Sequence, residues 1–431
     1  MVLVRSSDDR PRTARMRGPA AALLVMLALG ARAAGAFPAK LASSGKQDFA
    51  YGTAVESGGG PATGYKPESK LFYTADGRWW AVLGSSNGPS GSGVYLYRLD
   101  GSHVWQPNLR LPGADVWAKA DTLLHGSTLY VALRDNRSVS GNPRVSQLYR
   151  LTYLGDGNWG TPQGPSSITT KNPETLTLAL DSEGRLWTTF ASGLDIYVGH
   201  TDPDGTSFSF TTLPVGEVTD DDISSVVAFG TSTNGHKIGV FWSDQAARRD
   251  WFAWRDDDDP IGAAWHIETA FGGGVGGCPT SRSSLCADDH MNLKPLGDDL
   301  YVAVKTSLND PSSPNPADPL IALLHRDARG SWSSHRVSPV SQNATRPIVL
   351  LAPDLGAIWV FATKGSSVVA WQAELSDPDF DSNAFTTWTK SSAGSINDST
   401  STKQVITSSS GAVVETSQHN KATYFHNEFL P

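Results

Sequence analysis

The chain has 431 residues, a formal net charge of −8, 42 Gly and 26 Pro. An acidic protein of this size is not expected to bind nucleic acid in general. Its glycine and proline content, with little helical periodicity, indicates an all-β protein rich in turns. The length alone would allow about two or three domains, but the repeat described below fills nearly all of the chain and predicts one large domain.

Residues 1–36 have the pattern of an export signal. Several arginines precede an apolar stretch over 20–30, and Ala-Gly-Ala at 34–36 supplies a small-residue cleavage site before Phe37. The apolar stretch is short for a transmembrane span, although a retained signal anchor is the alternative. Cleavage would change the formal net charge from −8 to −12, because the removed residues carry six Arg and two Asp. We therefore expect a secreted, extracellular protein with one domain over 37–431 and no membrane segment after cleavage.

Seven segments in which two apolar strands flank a turn recur roughly every 50 to 60 residues, which is the period of a β-propeller blade. Most are followed by a second hairpin, with strands such as VYLYRL, SQLYRLTYL and LIALLHR. The sequence therefore predicts a seven-bladed β-propeller with four antiparallel strands per blade. The last repeat lacks an outer strand, so we expect the segment over 37–51 to pair beside 424–429 and close the ring.

An ionisable residue precedes the first hairpin of every repeat. Because the first strand of each blade lines the central channel of a propeller, this column predicts a ring of charges around one channel mouth. The seven residues are Lys70, Lys119, Glu174, Asp222, His290, Arg346 and Lys403. We expect any ligand site to lie at this mouth.

The segment DDHMNLK over 288–294 is the strongest local pattern. Alternate residues of an extended strand share a face, so His290, Asn292 and Lys294 are predicted to point into the channel. A histidine there can act as general acid or base near neutral pH, with Asp222 or Glu174 assisting. The residues predicted to bind an anionic ligand are Lys70, Lys119, Asn292, Lys294, Arg346 and Lys403. The alternative is that this row only hydrates the channel and links the blades by salt bridges.

Both cysteines of the chain, Cys278 and Cys286, lie in one loop ahead of His290. Their short separation and the expected export favour a disulfide. Zinc held by the two thiolates and His290 is the alternative, but no CxxC spacing supports it. Calcium at Asp221 or Asp222 would have too few ligands. We therefore expect no metal and no cofactor.

The turn after the third strand of most repeats carries Asp, often with Gly, and then usually Trp, as in Asp100-Gly101 to Trp105 and Asp156-Gly157 to Trp159. Asp accepts hydrogen bonds from turn amides, and the aromatic side chain can pack between adjacent sheets. This combination resembles the BNR/Asp-box propellers, the superfamily that includes sialidases and several polysaccharide-processing enzymes. The resemblance covers about 37–431 at the level of architecture. The phrases DDHMNLK and STSTKQ are also similar to those of a group of secreted bacterial seven-bladed propellers.

Sialidase activity is not expected, because it needs three arginines on the substrate carboxylate and only Arg346 falls in the ring. Walker and HExxH motifs are absent from the sequence. The residues and the resemblance together predict a secreted, monomeric propeller that binds an extracellular polysaccharide or glycoconjugate, with anionic sugars favoured. In one interpretation it also cleaves the glycan, as a glycoside hydrolase or polysaccharide lyase. The alternative is a non-catalytic interaction or adhesion scaffold, in which the ring of charges only stabilises the channel.

Overall fold

The computed structural model describes residues 45–50, 62–134, 145–215, 218–219, 221–278, 285–391, 394–418 and 423–429. Across these ranges the chain forms strands and two short 3-10 turns, Val340–Gln342 and Pro353–Leu355. No helix in this part of the chain has the length and apolarity needed to cross a membrane. The export signal predicted over 1–36 lies outside the described residues and stays a prediction.

The strands form seven antiparallel sheets, which confirms the predicted seven-bladed β-propeller. The first strand, β1 (Lys46–Ala50), belongs to the last sheet. Blades 1, 2 and 3 follow it along the chain, and the first strand of each lies nearest the channel. Their strands are β2 (Leu71–Tyr73), β3 (Trp79–Gly88), β4 (Gly91–Leu99) and β5 (Trp105–Arg110); β6 (Lys119–His125), β7 (Thr128–Arg134), β8 (Ser146–Gly155), β9 (Asn158–Trp159) and β10 (Gln163–Thr169); and β11 (Thr177–Leu180), β12 (Leu186–Ser192), β13 (Asp195–His200) and β14 (Ser209–Thr212).

Blades 4, 5 and 6 repeat the same four-stranded order. Their strands are β15 (Ser224–Thr231), β16 (Gly235–Asp244), β17 (Arg249–Asp256) and β18 (His266–Phe271); β19 (Met291–Leu296), β20 (Asp299–Lys305), β21 (Pro319–Arg326) and β22 (Trp332–Pro339); and β23 (Thr345–Ala352), β24 (Ala357–Lys364), β25 (Ser367–Glu374) and β26 (Thr386–Lys390). Successive residues of the inner strands are mostly buried and pack alternately into the cores on the two sides of a sheet, as Trp79 and Trp80 do, which fits sheets that pack face to face.

Blade 7 joins the two ends of the chain. It consists of β27 (Ile396–Thr400), β28 (Ala412–Gln418) and β29 (Thr423–Phe429), and β1 pairs antiparallel with β29, with Lys46 opposite His426. The prediction that the N-terminal segment closes the ring is confirmed for its described part. This pairing satisfies backbone groups that would otherwise be exposed along the edge of β29.

The aromatic residues after the outer turns pack against the preceding blade, as the turn pattern predicted. The ring of Trp159 lies 5.4 Å from that of Trp80 in blade 1, edge to face, and that of Trp332 lies 5.7 Å from Phe252 in blade 4. In the turn before Trp105, Asp100 accepts two backbone hydrogen bonds of 2.9 Å through Oδ1. The aspartate therefore holds the turn, and the aromatic side chains join neighbouring sheets.

Candidate functional site

Residues 62–70, ahead of blade 1, cross the channel mouth where the ring of charges was predicted. Lys66 forms ion pairs with Glu174, 3.0 Å away before blade 3, and with Asp289 before blade 5. Because blade 4 lies between those two blades, Lys66 bridges part of the mouth rather than linking adjacent sheets. Sequence reasoning missed Lys66, since it lies outside the repeated column.

Glu68 is the centre of a buried ion cluster in the same segment. Its Oε1 lies 2.8 Å from Nε of Arg134, and its Oε2 lies 3.2 Å from Nζ of Lys70. Burial raises the pKa of this carboxyl, but Arg134 and Lys70 outweigh burial and hold the pKa below its ordinary value. The guanidinium of Arg134 also stacks 4.7 Å from the ring centre of Tyr65. Lys70, predicted to bind a ligand, is thus already paired within the protein.

Two further lysines of the predicted site are buried beneath the mouth. Burial, with repulsion from Lys70 and Arg134, lowers the pKa of Lys119 to about 7. Burial, with repulsion from Lys403, lowers the pKa of Lys294 to about 7, and its Nζ donates to the carbonyl of Thr402. Both side chains can therefore change charge near neutral pH.

Lys403 reaches from blade 7 to blade 2, where its Nζ lies 2.6 Å from Oδ2 of Asp121. Its side chain is 21% exposed and lines a cavity of about 200 Å³ inside the channel, together with Leu178 and Leu293. The ladder of the inner strand β27 ends at Thr400, ahead of Lys403. The expectation that Lys403 precedes its inner strand was therefore wrong, because the hairpin assumed for blade 7 began too late in the sequence.

Residues of β19 alternate between two faces, as predicted, but both faces pack against neighbouring blades instead of one facing the channel. Met291 and Leu293 pack in the core shared with blade 4, whereas the Oδ1 of Asn292 accepts a 3.1 Å hydrogen bond from the backbone of Val349 in blade 6. The two faces of an inner strand look toward the neighbouring blades, and its edge looks toward the channel. Asn292 therefore helps to join blades 5 and 6, and Leu293 lines the cavity.

His290 has the geometry of an acid–base residue. Its Nδ1 contacts the carboxylate of Asp288 and lies 2.6 Å from Oδ1 of Asp289, while Nε2 is buried and has no hydrogen-bond partner among the described residues. The side chain is 10% exposed. Asp288 is held in turn by ion pairing with Lys305 and by Oγ of Ser307 at 3.2 Å. The carboxylates thus fix the ring and leave Nε2 as a buried ring nitrogen without a protein partner among the described residues.

Asp289 is kept ionised beside this imidazole. Burial raises the pKa of its carboxyl, but His290 and Lys66 outweigh burial and hold the pKa well below its usual range. One oxygen of Asp289 also lies within 4.8 Å of oxygens from Glu174 and Asp221. The ammonium of Lys66 pairs with both Asp289 and Glu174, as a bound cation would.

The cysteine loop reaches this histidine from blade 4. Cys278 and Cys286 form the predicted disulfide, with Cα atoms 6.2 Å apart. Both cysteines are buried in the core of blades 4 and 5, and Cys286 precedes Asp288 by two residues. The disulfide therefore anchors the chain immediately before the Asp288–His290 contact.

Asp222 serves its own loop. Its Oδ2 accepts hydrogen bonds from the backbone of Thr219 at 2.7 Å and from its hydroxyl at 3.0 Å. Its Oδ1 accepts from Ser243 at 3.2 Å and from the backbone of Gln245 at 3.0 Å. Among the described residues, no hydrogen bond or ion pair joins Asp222 to His290. The structure brings Glu174 to this cluster through Lys66, but it does not bring Asp222.

Arg346 and Asp398 face each other from blades 6 and 7, with Nε 3.0 Å from Oδ1. Both have left-handed backbone, with φ of 55° and 48°, and each lies where the register of its inner strand shifts. Such conformations cost non-glycine residues about 1–3 kcal/mol each and persist where surrounding structure enforces them. The Arg346 side chain is 25% exposed and that of Asp398 is 1% exposed. This strained pair therefore presents one partly open cation at the mouth.

No family model matches the chain, and no curated protein matches it. Among solved structures, it is similar to an ulvan lyase of polysaccharide lyase family PL25, with 10% identity and a TM-score of 0.52, over 88% of this chain and 95% of that chain. It is also similar to an α-L-arabinanase of Penicillium chrysogenum, with 11% identity and a TM-score of 0.45 over 79% and 100% of the two chains. A sialidase of Trypanosoma rangeli shares 12% identity at a TM-score of 0.43, over 69% and 52%. The first likeness shows the fold alone, and the other two are too distant to support an argument.

Proposed function

We propose that this protein binds an anionic extracellular glycan at the channel mouth and cleaves it with His290 as the acid–base residue. The observation that carries the proposal is the imidazole itself, whose Nδ1 is held by two carboxylates while Nε2 has no partner among the described residues. A proton on Nδ1, donated to Asp288 or Asp289, leaves a lone pair on Nε2. That tautomer is the one a general base needs.

The charges around the mouth support an anionic sugar as the ligand. Arg346 and Lys403 are the partly exposed cations of the predicted ring, with side chains 25% and 21% exposed. Each already pairs with a carboxylate, so a uronate would have to compete with Asp398 or Asp121 or share the cation with it. Arginine suits a carboxylate because its fork can donate two parallel hydrogen bonds.

These groups together suit β-elimination from a uronic acid. A cation on the sugar carboxylate lowers the cost of removing the neighbouring C5 proton. Nε2 of His290 would take that proton as the C5–H bond breaks, a C4–C5 double bond would form, and the C4–O bond would break. The leaving oxygen would take its proton from solvent. The likeness in fold to an ulvan lyase is consistent with this class of reaction.

A panel of uronic-acid and neutral polysaccharides tests the proposal. Elimination should raise absorbance near 235 nm on uronate substrates, whereas hydrolysis would produce new reducing ends without that absorbance. His290→Ala should lower kcat on the order of 10²- to 10⁴-fold with little change in stability. The matched control is His325→Ala, because His325 also bonds a carboxylate, Asp299 at 2.8 Å, but lies on β21.

The control variant should keep full activity. An active wild type with an equally active His290→Ala variant would refute the role of His290. Failure of the wild type to bind any acidic polysaccharide, measured by affinity electrophoresis and calorimetry, would refute the function as a whole.

A non-catalytic interaction scaffold is the second candidate, and the ion pairs of the mouth favour it. Glu174, Arg346 and Lys403 each pair with a charged group of another segment, and Lys70 pairs with Glu68 of its own segment. In a scaffold, His290 would pin the cysteine loop to the mouth. His290→Ala would then destabilise the fold by about 1–3 kcal/mol through lost hydrogen bonds and leave ligand binding intact.

A further inference from the structure

Blade 7 contains a second cluster of carboxylates and imidazoles, which the glycan proposal does not use. Asp48 lies on β1, Glu415 on β28, and His426 and Glu428 on β29. Asp48, Glu415 and His426 each offer one ligand atom within 4.8 Å of the other two. All four side chains are 2% exposed or less. The cluster therefore lies inside the blade, where the two ends of the chain meet.

A hydrogen bond or ion pair made by one of its polar groups holds each side chain of this cluster in place. Nδ1 of His426 lies 2.8 Å from both carboxylate oxygens of Asp48, and Oε2 of Glu415 accepts a 2.8 Å hydrogen bond from the indole of Trp105. One oxygen of Glu428 contacts the imidazole of His103. Nε2 of His426, Oε1 of Glu415 and Oε2 of Glu428 are buried and have no hydrogen-bond partner among the described residues. Glu415 thus has a leftover oxygen in the group with Asp48 and His426, whereas Nε2 of His426 lies 3.8 Å from Oε2 of Glu428 on the far side of the ring.

The charge of the cluster also requires compensation. The side chains of Asp48 and Glu415 are both buried, and oxygens of their two carboxylates lie within 4.8 Å of each other. Two buried carboxylates in contact need a shared proton or a cation between them. His103 and His426 supply imidazoles to the cluster, yet three carboxylates surround them. A divalent cation between Asp48, Glu415 and Nδ1 of His426 would neutralise the excess charge and engage the leftover oxygen of Glu415.

We propose that Asp48, Glu415 and Nδ1 of His426 bind a divalent first-row metal ion that links the N-terminal strand to the C-terminal strands, while Glu428 lies 3.8 Å from Nε2 of His426 on the other side of the ring. One imidazole and two carboxylates form a set suited to Zn²⁺ or Mn²⁺, since calcium prefers about six to eight oxygens. The indole of Trp105 would orient the carboxylate of Glu415 from behind. This inference does not depend on the proposed glycan activity.

The test measures metal in the full-length exported protein. The untagged protein is stripped with a chelator, equilibrated with Zn²⁺ or Mn²⁺, desalted, and analysed by elemental mass spectrometry and thermal unfolding. We expect about one metal ion per chain. At 100-fold excess over Kd, the metal should raise the ratio of folded to unfolded protein about 100-fold, which appears as a higher Tm.

Glu415→Gln keeps the shape of the side chain and should abolish most of the bound metal and its effect on Tm. The matched control is Glu268→Gln, because Glu268 also accepts an indole hydrogen bond, from Trp332 at 2.9 Å, but pairs with Arg326 instead of a second carboxylate. That variant should bind metal like the wild type. Stripped wild type that takes up neither ion, with an unchanged Tm, would overturn the proposal and leave a shared proton as the compensation. This measurement needs no variant, so a misfolded variant cannot obscure it.

Discussion

Replacing Lys119 with methionine should stabilise the protein at neutral pH and weaken the dependence of its stability on pH. Lys119 begins β6 and is buried beside Lys70 and Arg134. Burial and these two cations lower the pKa of its ammonium from 10.5 to about 7 in the folded protein. Methionine has a similar length and no charge, so it removes the cost of burying the ammonium while keeping most of the packing.

The sign and size follow from proton linkage. Between about pH 7 and pH 10.5 the unfolded chain binds a proton on Lys119 that the folded protein releases. The free energy of unfolding of the wild type should therefore gain up to about 1.4 kcal/mol per pH unit from this group as pH rises through that window. The stability lost by burying the Lys119 ammonium is zero above the pKa of Lys119 in the unfolded chain and reaches its full value below its pKa in the folded protein. At neutral pH it amounts to a few kcal/mol, on the order of 4.

The assay is urea unfolding of the wild type and of Lys119→Met at pH 7, 8 and 9. The difference between the two should be largest at pH 7 and shrink by about 1.4 kcal/mol per pH unit. Lys390→Met is the control, because Lys390 is exposed at the end of β26 and should give parallel curves. A Lys119→Met curve that also runs parallel to the wild type would show that Lys119 stays charged, and the reasoning from burial would be refuted.

Two further predictions concern the mouth. Glu68→Gln should lower the free energy of unfolding by about 3–5 kcal/mol, because it leaves Arg134 and Lys70 as buried cations without their carboxylate. The control, Glu174→Gln, changes a more exposed ion pair and should lower it by about 1 kcal/mol or less. Equal losses for the two variants in chemical unfolding would contradict the central place of Glu68. The double change of Cys278 and Cys286 to serine should cost about 2–3 kcal/mol, because the bridge spans a sequence separation of 8. If the glycan proposal holds, the double cysteine variant should also show reduced turnover by its folded fraction. Unchanged turnover would show that the cysteine loop does not position the site.

The architecture could be predicted from the sequence because every blade obeys the same local rules. Continuous apolar strands such as β7 and β20, and aromatic residues such as Trp159 and Trp332, recur at a similar spacing and identify one repeating unit. The outer strand of the last blade was predictable because its absence would leave a sheet edge unpaired. The repeated apolar and aromatic pattern, and the lack of an outer strand in the last repeat, can both be read from a single sequence.

The candidate site was predicted only in part, because pairing between distant segments leaves no local pattern. The column of charges located Lys70, Lys119, His290 and Arg346 near the mouth. Asp288, Asp289 and Glu68 are sequence neighbours of His290 and Lys70, but the other partners come from distant segments. The partners that sequence reasoning missed are Lys66, Glu68, Asp121, Arg134, Asp288, Asp289 and Asp398. Asp222 had the right position but is used by its own loop. Lys403 was misplaced relative to its strand because the hairpin assumed for blade 7 began after Lys403, whereas the inner strand β27 ends at Thr400.

The pairing of β1 with β29 has a consequence for how the chain is made. Asp48 and His426, which meet in blade 7, are 378 residues apart in sequence. Joining the ends of a flexible chain of that length costs about 5 kcal/mol in loop-closure entropy. During vectorial synthesis β1 emerges first and must wait for β28 and β29, so closure is the last step and begins from blades that have already folded and shortened the gap. A circular permutant opened between blades 3 and 4 would make this pairing local. The contact between blades 3 and 4 would then be the one that forms last.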